Sequence, residues 1–140
     1  MDAKAEALLD EYRDDLCLED FSQEELMCHL LGYDVFWLGS EDCPDYLRMD
    51  DGVDSPTLVS ALLFNHDELP TRVRDYLDSV VEDWGKYRKR GVFFERFPAA
   101  RCGNFTWPEY RAEAEQILGR AIPKSHWWFW PTPEEQKRKV

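Results

Sequence analysis

Apolar residues recur at helical spacing through most of this chain. Leu8, Leu9, Tyr12 and Leu16 share one side of residues 2–16 and predict an amphipathic helix there. A second helix starts at Ser22, which serves as N-cap: Glu25 completes a capping box, and Phe21 with Leu26 has the spacing of a hydrophobic staple. Leu26, Met27, Leu30 and Leu31 form its inward face, and Gly32 is expected to stop it. Residues 33–38 (YDVFWL) mix aromatic and β-branched side chains between two glycines and read as a short strand. Residues 39–55 then carry the turn chemistry of a long loop.

Ser55 and Pro56 suit the start of a third helix with Leu58, Val59, Leu62 and Leu63 inward. Residues 67–84 predict a fourth, because Leu69, Val73, Tyr76, Leu77, Val80 and Trp84 lie on one face and Pro70 is tolerated in the first turn. The stretch 85–91 (GKYRKRG) ends or frays it. Residues 92–97 (VFFERF) and 125–130 (SHWWFW) are two further strand candidates. Between them Phe105, Thr106, Glu109 and Tyr110 repeat the staple and capping-box spacing, so a helix is expected over 107–118, closed by Gly119. Together these elements describe a helix-dominated α+β domain, about five helices around one core with a small two- or three-stranded sheet.

At 140 residues, 44% hydrophobic and 14% aromatic, the chain is long enough for one core and too short for two domains of ordinary size. Residues 1–130 are expected to form that domain, and 131–140 a mobile basic tail. The longest largely apolar stretch, 58–64, is too short to span a membrane, and the acidic first residues lack the basic and apolar regions of a signal peptide. These features predict a soluble cytoplasmic protein in which Cys17, Cys28, Cys43 and Cys102 are free thiols.

Charge changes this picture. Residues 1–85 hold 23 acids against 5 bases, and residues 86–140 hold 6 acids against 12 bases, within a total of -12. If every C-terminal base paired with an N-terminal acid, 11 of those acids would remain unpaired, so a large negative surface should survive folding. In the first helix Glu6, Asp10 and Asp14 repeat at i, i+4 and i+8, with Glu11 and Asp15 beside them. Each like-charge pair at this spacing costs roughly 0.2–0.5 kcal/mol, and Asp14 and Asp15 also meet the unfavourable end of the helix dipole. Local stability did not select these residues. The long loop adds Glu41, Asp42, Asp45, Asp50, Asp51 and Asp54 against the single base Arg48.

Tests for chemistry fail. The cysteines lack the close paired spacing of a zinc site; only Cys28 and His29 are adjacent. Aligning Gly52 to the glycine of a calcium-binding EF-hand loop puts Leu47 and Met49 where carboxylates belong and Leu58 where the bidentate Glu belongs. There is no Gly-rich phosphate loop. His29, His66 and His126 have no identifiable nucleophile partner, and His126, inside an aromatic run, reads as a packed residue. No metal and no cofactor is expected, and the protein reads as a non-enzyme. The basic run at 86–90 resembles a single-strand-binding surface in composition, but the overall charge would repel a phosphate backbone, and packing on the protein's own acidic helices is the expected use.

What remains is a binding role. Rows of carboxylates can engage Lys and Arg side chains placed for a phosphate backbone, and strong charge speeds encounter with a basic groove. The expectation is an acidic inhibitor of a basic, nucleic-acid-handling protein, a nucleic-acid mimic similar in size and charge to antirestriction and anti-CRISPR proteins of phages and mobile elements. An immunity protein or antitoxin neutralising a basic toxin is the first alternative, and a small enzyme with a carboxylate-based site the second. The residues expected to carry binding are Glu6, Asp10, Asp14, Glu41, Asp42, Asp45, Asp50, Asp51 and Asp54, with Trp128 and Trp130 as apolar anchors. A homodimer contact is another cover for those tryptophans. Neither a membrane nor direct nucleic-acid binding is expected.

Overall fold

A computed structural model of the protein describes residues 1–37, 55–96 and 106–136. They form helices α1 (Ala3–Asp15), α2 (Gln23–Trp37), α3 (Ser55–Phe64), α4 (Thr71–Lys89), α5 (Phe93–Arg96), α6 (Trp107–Leu118) and α7 (Pro133–Gln136). Two 3₁₀ turns, His66–Glu68 and Trp127–Phe129, complete the order.

The helix starts follow the local chemistry. Asp2 caps α1 by accepting from the Ala5 amide. Ser22 caps α2 through a 3.1 Å bond from the Glu25 amide, and Thr106 caps α6 by accepting from the Glu109 amide. Gly119 closes α6 in the left-handed conformation at φ 70. α3 is buried on nearly every side, with Thr57, Leu58, Val59, Ser60, Ala61 and Leu62 all in the interior. An all-round buried helix is a central one, and α3 contacts α1, α2, α4 and α6. α2 lies along α4 in the most extensive helix pair. Leu8, Leu9 and Tyr12 of α1, Leu26, Leu30 and Leu31 of α2, and Val73, Leu77, Val80 and Trp84 of α4 close one hydrophobic core.

The sheet of the expected α+β architecture is not found: among the described residues there is no strand. Residues 33–37 continue α2, which runs through Gly32 without stopping. Residues 93–96 form the single turn α5, and 127–129 the second 3₁₀ turn. The physical reason is visible in the burial pattern. Phe93 and Phe94 are both buried, as are Trp128 and Phe129. Adjacent residues in a strand point to opposite faces, whereas a tight turn can send both into one core. Neither segment carries the polar alternation of a half-buried strand. Residues 38 and 97 of the strand expectations, the loop 39–54 and the last four residues lie outside the described residues. Within the segment read as a tail, Pro133–Gln136 is helical, and Arg88 holds Glu135 through two bonds of 2.8 Å.

Candidate functional site

α1 turns Ala5, Leu8, Leu9 and Tyr12 inward, which fixes its other face toward solvent. Glu6, Asp10 and Asp14 are all exposed there, with Glu11 and Asp15 beside them. Asp10 meets Arg13 at 4.0 Å and stays 70% exposed; an exposed pair of this kind adds little stability. Among the described residues, neither Glu6 nor Asp14 forms an ion pair. The structure thus brings three of the expected site residues into one outward row. Glu41, Asp42, Asp45, Asp50, Asp51 and Asp54 lie outside the described residues.

Among the described residues, no cation of the C-terminal half forms an ion pair with this row. Lys86 pairs within α4, 3.7 Å from Glu82 and 3.9 Å from Asp83. Arg88 forks onto Glu135 and lies 4.8 Å from the Trp127 ring centre. Burial pushes the Glu135 carboxyl up, but hydrogen bonds from Arg88 and Thr132 outweigh it and hold the group below its usual range. Arg111 sits 3.6 Å over Trp130 and donates to the Phe129 carbonyl, and Arg120 sits 3.9 Å over Phe64. The aromatic rings hold these arginines in cation–π contacts, and none of the three forms an ion pair with Glu6, Asp10 or Asp14. Sequence reasoning expected the basic run 86–90 to pack on acidic helices; among the described residues its ion pairs are to α4 itself and to Glu135.

Trp128 is corrected from anchor to core residue. It is 1% exposed, and its Nε1 donates to Ser60 Oγ at 3.1 Å. The 3₁₀ turn places Trp128 and Phe129 inward and leaves Trp127 and Trp130 half-buried. Trp130 donates to the Pro123 carbonyl and is covered by Arg111. His126 completes the buried polar group: its Nδ1 lies 2.9 Å from Ser60 Oγ and its ring stacks on Trp128. Trp128 Nε1 can only donate, so Ser60 Oγ accepts from it, and a second hydrogen bond joins Oγ to Nδ1 of a neutral His126. Burial lowers the His126 pKa to about 4, with the charge of Arg120 adding to the effect. With Ser60 fully buried and His126 8% exposed, the pair is a core hydrogen bond rather than a nucleophile and base.

Acidic positions that the sequence did not single out extend the negative surface. Asp75, Asp78 and Glu82 are exposed along α4, and the turn after α3 adds Asp67 and Glu68. His66 links the two, 3.2 Å from Asp78. Asp75, Asp78 and Glu82 fall at i, i+3 and i+7, on one side of α4. An open groove of about 340 Å³ runs beside the α1 row, lined by Glu6, Asp10, Arg13, Phe21, Ser22 and Gln23. Among the described residues no group of three or more His, Cys, Asp or Glu could hold a metal ion, and no helix is long and apolar enough to cross a membrane. Cys17 and Cys28 are free thiols; Cys43 and Cys102 lie outside the described residues. The chain matches no family model, no curated protein and no solved structure.

Proposed function

We propose that the protein is a non-enzymatic acidic binding protein that inhibits a basic, nucleic-acid-handling protein by offering carboxylates to the side chains that would otherwise meet phosphates. One observation carries this reading: Glu6, Asp10 and Asp14 stand exposed in a row, while Arg88, Arg111 and Arg120 are held against aromatic rings and pair with none of the three. Successive members of the row are spaced about 6 Å apart along the helix axis. A charged array of this kind attracts a basic groove at long range and forms charge-assisted hydrogen bonds at short range.

The test is capture from a host lysate by immobilised protein and by the Glu6→Lys, Asp10→Lys, Asp14→Lys triple variant. The native protein is expected to retain a basic nucleic-acid-handling protein at low salt and release it at high salt, and the variant to retain none of it. Equal retention by the two proteins, or no salt-released partner, contradicts the reading.

A further inference from the structure

An open cleft of about 520 Å³ lies between the start of α1, the turn after α3 and the chain following α6, with Met1, Asp2, Phe64, Asp67, Glu68 and Arg120 in its lining. Phe64 is half-buried. His126 packs on it at 4.8 Å between ring centres, and the Arg120 guanidinium lies 3.9 Å from its centroid. Arg120 is exposed and, among the described residues, forms no ion pair. Its stacking contact is what seats it. Asp2, Asp67 and Glu68 also line the cleft. Asp2 caps α1 and bonds Asn65, and the Ala5 amide, the Asn65 side chain and the charge of Arg120 keep its carboxyl low against the effect of desolvation. Asp67 is fully exposed, with the His66 ring 3.8 Å away, and Glu68 meets the Met1 amine at 2.7 Å.

A cleft that offers both an aromatic face and carboxylates suits a planar guanidinium, which can stack and donate in a fork, better than a compact ammonium. The cleft already holds one such group. It also borders the α1 row, because Asp2, in its lining, accepts at its backbone carbonyl from the Glu6 amide. We propose that this cleft seats an arginine side chain of the basic partner and that Arg120 is an internal stand-in, displaced on binding. The proposal rests on the binding role assigned to the acidic face and adds where an anchor enters it. A resident competitor lowers apparent affinity by the fraction of molecules in which the seat is filled, so removing it should strengthen binding.

Tetra-arginine amide and tetra-lysine amide serve as probes, titrated calorimetrically at low salt into the full chain. Arg120→Gln empties the seat, and Lys89→Gln removes the same charge at the exposed C-terminal end of α4. Arg120→Gln is expected to bind tetra-arginine several-fold more tightly than Lys89→Gln does, with little difference between them for tetra-lysine. Phe64→Leu added to Arg120→Gln should cancel the gain. The two glutamine variants change exposed side chains and decide the question even if Phe64→Leu fails to fold. Equal tetra-arginine affinity in Arg120→Gln and Lys89→Gln, or an equal gain for tetra-lysine, overturns the arginine seat. If the peptides bind and the α1 triple reversal still weakens them, the general reading survives that failure. If native protein binds neither peptide, or the triple reversal binds them as well as native, the general reading fails with it.

Discussion

Ser60 is the residue on which the buried polar chemistry turns. Fully buried on α3, it is bonded to both His126 and Trp128. Ser60→Ala leaves a buried ring nitrogen and an indole N–H without this partner, a loss of about 1–3 kcal/mol. Denaturant unfolding reads it directly, and a loss below about 0.5 kcal/mol would mean the bonds are not made. His126 adds a pH dependence whose sign follows from linkage. Its folded pKa of about 4 lies below the ordinary 6.5, so the unfolded chain binds more protons between these values. Stability is therefore full above about pH 6.5 and falls by about 3 kcal/mol as pH drops to 4. His126→Phe should flatten the unfolding free energy over that window; an unchanged slope would place the titration elsewhere. Asp2 and Glu135, both held low, lose their contributions at still lower pH. The aromatic run around His126 marked it as packed, but nothing around Ser60 in the apolar stretch LVSALLF revealed its partners, which are 66 and 68 residues away.

At the scale of elements, caps were legible and strands were not. Ser22, Thr106 and Gly119 act through neighbours three or four residues away, so their spacing encodes α2 and α6 directly. The segments 33–37, 93–96 and 127–129 carry aromatic and β-branched residues whose strand preference depends on context more than on local spacing, and all three are helical or 3₁₀ turns here. Two glycines test the boundaries. Gly85 lies inside α4, and a Cβ placed on it would meet nothing within 4 Å. Gly85→Ala should stabilise the protein by about 0.5–1 kcal/mol; destabilisation would mean that the helix ends there, as the stretch GKYRKRG suggested from sequence. Gly119→Ala should do the reverse, because φ is 70 and the added Cβ would lie 3.2 Å from Lys4 Cε. Thermal melts of the two variants should move in opposite directions.

For the whole molecule, the division of charge along the chain was readable by counting, and the three-dimensional fate of the bases was not. Counting allowed the C-terminal cations to neutralise the N-terminal acids in part. Instead Arg88, Arg111 and Arg120 lie on Trp127, Trp130 and Phe64, contacts between residues 39, 19 and 56 positions apart that no spacing rule anticipates. Among the described residues none of these bases pairs with the acidic row of α1, whose like charges repel one another. A surface kept for recognition should be slightly costly to the fold, and one kept for structure should support it. The measurement that separates these is the unfolding free energy, at low salt, of the Glu6→Gln, Asp10→Asn, Asp14→Asn variant against the native protein. Relief of two like-charge pairs predicts a gain of about 0.4–1 kcal/mol that shrinks as salt is added. A loss of about 1 kcal/mol or more would show that these carboxylates hold the helix in place, and would contradict the account.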